Sequence, residues 1–569
     1  MKKFAFVTLC ASVASLAAIT VMAQQRGIPD DDDEPSPCIA GARIELGANP
    51  GQIPFGQSTV LRWSVSLPAG CSAVHISLNG EPVTATGNRT ITPAAPSVFT
   101  MTARMTRLGV PQQTSASATV SVTYPARIVI NPSTPNPVAV LLGALASLNE
   151  QQVIELCDLD LDLTGHKNIL IGERRSLIAS PECARGPRSF GPRIFVTDTR
   201  KNQPLFSIGG DNVLISGFRL EGPTDGIASG DRQEKGIVIS PFPSAAPIRN
   251  VEISNMEISH WAGLGIQVTD NVELAERGRL FNTNETAVRI INNFFHHNRH
   301  TEEGYGAEVT AGGYALIARN VFDENRHGIA GGSKNRKNDK DYSGYTAREN
   351  LILSGGGLAC SHGVIARLTA PDNWFRRRCW HTHQIDMHGD DNRFYSGSNH
   401  QCGTAGETII IQRNTILYTK GKAIKIRGNP ADKAVADGNV FRHGSRGDAI
   451  EQNGACGFGD NISNPIDVRP NNLFGIDPTT QLGKCDFFGD GQLDDFMATG
   501  VTWWARSPVT GQWRYLNTMP ERLAQLSLER VDGDAVCDVT PKRLHPEMAP
   551  RNFSKSGTGP WVPVLVVQP

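Results

Sequence analysis

TIIIQRNTILYTKGKAIKIRG (residues 408–428) holds three short apolar, β-branched runs parted by Asn414 and by the Gly421-Lys422 turn. No run is long enough for an amphipathic helix, and each alternates or clusters as a strand does. The same texture recurs in NVLISGFRL (212–220), NVEISNMEIS (250–259), AVRIINNFF (287–295), ALIARNVFDENRHGIAGG (315–332), ARENLILSGGG (347–357) and DGNVFRHGSRGDAIEQNG (437–454). The Asn opening each apolar step falls at 293, 320, 350, 414 and 439. The steps from Asn293 to Asn320, Asn320 to Asn350 and Asn414 to Asn439 fit one coil each. The longer step from Asn350 to Asn414 fits two coils plus an insertion. A fixed period of this size, with room for three short strands per coil, predicts an all-β chain with a β-solenoid over 126–475. A propeller would need four strands per repeat and longer periods.

The flanks read differently. Residues 1–23 have Lys2 and Lys3, an apolar run and a Val-Met-Ala site, as in a secretory signal. QQRGIPDDDDEPSP (24–37) is acidic and Pro-rich and is expected to be disordered. Residues 38–125 alternate in short runs around Trp63 and predict an antiparallel β-sandwich. Residues 476–569 carry two acid-rich loops, CDFFGDGQLDDF (485–496) and VDGDAVCDV (531–539), and are expected to cap or dock on the end of the solenoid. Asp486, Asp490 and Asp494 with Gly491 make the first loop a candidate Ca²⁺ site. The second (Asp532, Asp534, Asp538) lacks the turn glycine at the matching place.

Ten cysteines remain after the signal, an even number that suits an oxidising compartment and a secreted (periplasmic or extracellular) protein. Sequence proximity suggests Cys38–Cys71, Cys157–Cys183 and Cys485–Cys537, with Cys360, Cys379, Cys402 and Cys456 pairing among themselves. A net charge of −1 gives no argument for nucleic acid, and no stretch beyond the signal is long and apolar enough to span a bilayer. A monomer is expected.

HQIDMHG (383–389) and GKAIKIRG (421–428) carry the chemistry. With Ile385, Met387, Ile424 and Ile426 inward, Asp386, His388, Lys425 and Arg427 share the outer face. Aligned rungs give one column of Glu308, Ala330, Asp386, Lys425 and Glu451, and a neighbour of Thr310, Gly332, His388, Arg427 and Asn453. Ala330 and Gly332 would leave a groove floor, with Arg326, His327, Trp380, His381, His383 and Lys422 as lining for substrate. The segment 355–405 is expected to be a disulfide-tied loop over that groove. HHNRH (296–300) permits two metal ligands by spacing, but the sequence shows no acid partner for it.

Four resemblances follow from these residues. The solenoid resembles the right-handed parallel β-helix of secreted polysaccharide lyases and epimerases. The 38–125 region resembles bacterial immunoglobulin-like modules, and the C-terminal loops resemble integrin-type propeller repeats. More locally, Asp386-Met387-His388-Gly389, Asn414-Thr415-Ile416, the basic Lys420-Gly421-Lys422 and Ile424-Lys425-Ile426-Arg427 resemble the motif series of β-helix alginate C5-epimerases. Gly389 departs from that pattern where a second Asp is expected. The resemblance implies His388 as the proton-abstracting base, Arg427 as the neutraliser of the substrate carboxylate and Asp386 as support, with no cofactor required.

The expected function is C5-proton abstraction on uronates of an acidic polysaccharide, ending in epimerisation or β-elimination. Two alternatives stand beside it. One is a glycoside hydrolase using Glu308 and Asp386. The other is a non-catalytic glycan-binding surface protein.

Overall fold

The computed structural model describes residues 41–54, 57–68, 73–93, 97–107, 110–123, 126–146, 151–180, 182–183, 191–199, 203–224, 234–241, 248–269, 288–300, 303–332, 343–355, 383–389, 403–453, 462–542, 552–558 and 561–563. The signal and acidic leader, Cys38–Cys71, the four-cysteine set, Trp380 and most of the expected 355–405 loop lie outside these residues. The chain forms two compact units, Met1–Thr123 and Tyr124–Pro569.

The first unit is a three-stranded antiparallel sheet and a five-stranded sheet that is antiparallel except for its pairing of Gln52–Pro54 with Val110–Thr123. Trp63 is buried, with its indole nitrogen donating to the Thr84 carbonyl at 3.0 Å.

The second unit is a right-handed parallel β-helix built of three all-parallel sheets with eleven, ten and nine strands. Each coil contributes one strand to each sheet. Tyr314–Ala318, Val321–Asp323 and His327–Gly331 are one such coil. Inward residues stack into one continuous core, including Ile290, Ile317, Ala347, Ile411 and Ala436 from the first sheet and Ile266, Ala307, Ile329, Ile385 and Ile424 from the third. Burying each isoleucine removes enough apolar surface to stabilise the fold by about 1.5–3 kcal/mol. Phe295 stacks on Phe322, and Phe441 on Phe474, with centroids 5.0 Å apart in both pairs.

The recurring asparagines explain the period. Asn293, Asn320, Asn350, Asn414, Asn439 and Asn472 stack at the corner between the first and second sheets. Each of the first five donates its side-chain amide to the next Asn's Oδ1 at 2.9–3.1 Å, and its own backbone N–H is satisfied by the same oxygen. The amide also reaches a first-sheet carbonyl one coil away, such as Asn350 Nδ2 to Ile317 O at 2.9 Å. The ladder thus satisfies corner backbone groups that a buried turn would otherwise orphan. The residue before each of the first five rungs takes a left-handed conformation: Asn292 (φ 57°), Arg319 (60°), Glu349 (58°), Arg413 (50°) and Gly438 (63°). The second corner repeats the device with His260 (φ 64°), His297 (55°) and Glu324 (52°), beside a shorter ladder of Asn298 on Asn325. Left-handed non-glycine residues cost on the order of 1 kcal/mol each, and the ladder bonds hold them there.

Helix Pro137–Ala146, not foreseen in the sequence, covers the N-terminal end of the core with Leu141, Ala144 and Leu145. Arg175 donates to the Ala144 and Leu145 carbonyls at its last turn. The C-terminal region forms two four-stranded antiparallel sheets. Among the described residues its contacts run along the flank of the solenoid, where docking on an end was expected. The reason is an apolar outward column on the second sheet. Phe294, Val321 and Leu351, from successive coils, pack with Leu417 against Met497, Trp504 and Trp513. Disulfides Cys157–Cys183 and Cys485–Cys537 form as expected and suit an oxidising compartment. Among the described residues no helix is long and apolar enough to cross a membrane.

Replacing Asn350 with Ala removes both amide donations and takes from Asn320 N and Nδ2 the oxygen they share. The expected loss is about 2–5 kcal/mol of solenoid stability, read as a lower urea midpoint at unchanged slope.

Candidate functional site

The third sheet brings the two chemistry-bearing strands side by side. Ile385–His388 pairs in parallel with Ile424–Arg427, setting Asp386 beside Lys425 and His388 beside Arg427. Lys425 in turn lies beside Glu451, and Arg427 beside Asn453. Glu308 lies beside Ala330, and Gly332 bridges His388. The register is the one read from the sequence, with Ile385, Met387, Ile424 and Ile426 in the core.

Asp386 is the centre. It points outward yet is fully buried beneath its neighbours. Its Oδ2 lies 2.6 Å from His388 Nε2 and 3.1 Å from Arg427 Nη2. Burial alone would raise its pKa. Arg427 first, with His388, overcomes that and holds the carboxyl well below the usual range, so it is ionised. Tyr345, inward on the first-sheet strand of the same coil, donates its hydroxyl to the Asp386 carbonyl at 2.8 Å and fixes the strand from behind. Sequence reading missed Tyr345; its signal was a polar-tipped aromatic at an inward position.

His388 keeps about a quarter of its side chain exposed. With Asp386 ionised, Nε2 carries the hydrogen and donates it to Oδ2. Nδ1 then bears the lone pair and has no partner among the described residues. A carboxylate behind an imidazole orients the ring and stabilises its protonated form, the arrangement a general base requires.

Arg427 is 8% exposed through its side chain and is less free than expected. Nη2 is shared between Asp386 and His383 Nε2, 2.6 Å away. Arginine does not give up its proton in proteins, so His383 accepts and is neutral. Burial pulls the His383 pKa down to about 4. Asp386 Oδ1 lies 3.1 Å from the same nitrogen and receives no hydrogen from it.

His327 and His383 were expected to line the groove. Both are buried instead. Their rings stack at 4.3 Å, Tyr305 stacks on His327 at 5.1 Å, and His327 Nδ1 donates to the His383 carbonyl. The three aromatic faces form a support layer behind Arg427. Lys425 turns away from Asp386 to pair with Glu451 at 2.7 Å. Lys422 binds the Gly447 carbonyl, Arg326 reaches the Tyr305 hydroxyl at 3.2 Å, and Glu308 takes a bond from Gln267. Ala330 is buried against Leu264 and Tyr305, leaving little relief on the sheet there. A groove of about 490 Å³ opens elsewhere, between the second sheet and the C-terminal region, and holds none of these residues.

Two places gather groups that could hold a cation. His327, His383 and Asp386 offer ligand atoms within 4.8 Å of one another, but Arg427 already occupies His383 Nε2. In the C-terminal loop, Asp486 spends both oxygens on the backbone N–H groups of Gly489, Asp490 and Gly491. Asp494 Oδ1 and Asp490 Oδ2 are buried without partners. Burial, then Asp490 and Asp486, push the Asp494 carboxyl up to about 6, as converging carboxylates do without a counterion. This fits a hard cation better than the second loop, where Lys555 pairs with Asp532 and Asp534.

No protein family, curated protein or solved structure matches the chain.

The His383 environment predicts a pH effect. The unfolded chain takes up a proton near the usual 6.5, whereas the folded one refuses it until about 4. The contribution is full above 6.5 and is lost as pH falls toward 4. The melting temperature is expected to drop across that window, and His383→Gln should flatten the slope there.

Proposed function

We propose that the third-sheet patch abstracts the C5 proton of uronate residues in an acidic polysaccharide, acting as a C5-epimerase or lyase. The observation that carries this reading is the Asp386–His388 pair, with His388 Nδ1 unengaged and the Arg427 guanidinium on the neighbouring rung. Removing the proton α to a carboxylate leaves two negative charges on one small group. Arg427, whose Nη1 has no bond to a described residue, would bind the uronate carboxylate and disperse that charge. His388 Nδ1 would take the proton as the C5–H pair moves into the carboxylate, and Asp386 would stabilise the imidazolium. Return of a proton to the opposite face gives the C5 epimer. Expulsion of the 4-linked oxygen gives an unsaturated sugar. Both outcomes share the intermediate, and the patch does not choose between them.

The hydrolase alternative is weaker. Asp386 is held ionised and walled in by His383, His388 and Arg427, so it can neither donate a proton nor reach a sugar. Glu308 stands two rungs away, about 9–10 Å along the sheet. The two disulfides and the signal-like start support secretion. The C-terminal loop is a proposed Ca²⁺ site of structural use, remote in sequence from the patch.

Proton NMR in deuterated water with polymannuronate, pectate and glucuronan tests the reading. Deuterium at C5 or an unsaturated-uronate signal is expected with at least one polymer. His388→Ala should lower that rate about 10²–10⁴-fold with folding intact. Binding of polymer by wild type with no exchange on any of the three would favour the glycan-binding reading instead.

A further inference from the structure

The corner between the first and second sheets faces away from the third sheet, and the groove of about 490 Å³ lies against it. That volume suits a small molecule or a short run of a polymer. One wall is a column of corner residues. Gly217, Asn255, Asn292 and Arg319 each follow a first-sheet strand, and the residues before them, Ser216, Ser254, Ile291 and Ala318, pair rung to rung. The column therefore runs along the solenoid axis in steps of about 4.8 Å. Asn255 and Asn292 hold left-handed backbones (φ 54° and 57°) and are exposed. The Asn255 amide keeps one long contact, to Ser216 Oγ at 3.4 Å. The Asn292 amide bonds to no described residue.

The other wall comes from the C-terminal region, through Thr510 and the strand Trp513–Asn517. Two contacts join the walls and set their separation. Gln512 donates to Glu257 at 2.5 Å, and the Arg319 guanidinium stands 4.7 Å over the Tyr515 ring. A cleft set before its ligand arrives loses less freedom on binding. Arg219, Arg319 and Arg514 line it against Asp158 and Glu257. Glu257 spends both oxygens, on His296 and Gln512. Arg514 is exposed, its guanidinium 5.2 Å from the Phe488 ring, and it pairs with no carboxylate among the described residues. The groove is left with positive charge to offer.

A side-chain amide both gives and accepts hydrogen bonds, as a sugar hydroxyl does, so a pair of neighbouring hydroxyls can meet it on both atoms. A row of such groups along an axis fits an extended chain laid lengthwise rather than a compact molecule. We propose that the groove is a second saccharide site, in which Asn255 and Asn292 meet the hydroxyls of an acidic oligosaccharide and Arg514 meets a carboxylate. The choice of a uronate chain rests on the proposed function, whereas the amide column and the charge of the groove stand without it. A polymer engaged here and at the third sheet is held at two places by one protein, so it stays attached when either lets go.

The test titrates the full chain by calorimetry with short oligomers of mannuronate, galacturonate and glucuronate. With at least one of them, binding at two sites is expected, weakening as salt rises. Asn255→Gly combined with Asn292→Gly removes both amides without strain or new charge, since Gly217 already holds the left-handed place in this column. The double variant should weaken one of the two sites about 10-fold. Arg514→Gln, on the opposite wall, should weaken the same site by a similar factor and flatten its salt dependence. His388→Ala should leave that site unchanged. The groove site is overturned if no acidic oligomer binds, if the oligomers bind the double variant and Arg514→Gln as they bind wild type, or if a neutral glucan oligomer binds as tightly. C5 exchange is followed on the same proteins. Binding lost in the groove variants, with no exchange in wild type, would uphold the groove and sink the catalytic reading alone.

Discussion

The stacked asparagine amides at the first corner are the constraint on which the rest depends. Each amide spans three coils, donating to a carbonyl of the coil before it and to the asparagine oxygen of the coil after it. No other side chain of that size offers two donors and a two-fold acceptor there. Once the corner is fixed, strands on either side of it must start in step. Every coil is then aligned to its neighbours whatever length of chain is inserted elsewhere. The step from Asn350 to Asn414, expected to hold two coils, is one coil with a long insertion, since Leu351–Ile352 still pairs with Thr415–Ile416 without a slip.

That alignment makes the candidate site possible. Asp386 and Arg427 belong to different coils, and only rung-to-rung stacking puts guanidinium and carboxylate in contact. An isolated buried carboxylate would be costly. Here a guanidinium and an imidazole share the charge, and a layer of three stacked rings excludes water from behind. The result is a fixed negative charge directly beneath one histidine that keeps about a quarter of its side chain exposed. The His296–Glu257 and His297–Glu324 pairs are assembled by the same rule, their members supplied by three successive coils.

What was legible in the sequence was whatever obeys the period. The five asparagines, the inward isoleucines and the outward columns all follow from spacing and strand alternation. What was not legible depends on where long side chains turn after leaving the backbone. Lys425 sits beside Asp386 and could have paired with it, but Glu451 on the other side offers an exposed, cheaper partner. His327 and His383 begin near the outer face and fold beneath it, because Tyr305 provides a ring to stack on. The acid partners of His296 and His297 were invisible for another reason. Glu257 and Glu324 stand on the coils before and after the histidines, and nothing within the HHNRH stretch points to either. The C-terminal region was placed at the wrong surface because the apolar column formed by Phe294, Val321 and Leu351 reads, within each strand, as an ordinary buried residue.

That lateral docking has a mechanical consequence. A solenoid held only by neighbour-to-neighbour contacts gives way under tension one coil at a time, like a zipper. Here a single folded body grips Glu257, Phe294, Val321, Leu351 and Leu417 at once. It works as a splint. Coils that never touch one another are coupled through it, so force applied at either end is expected to meet a stretch that yields as one unit.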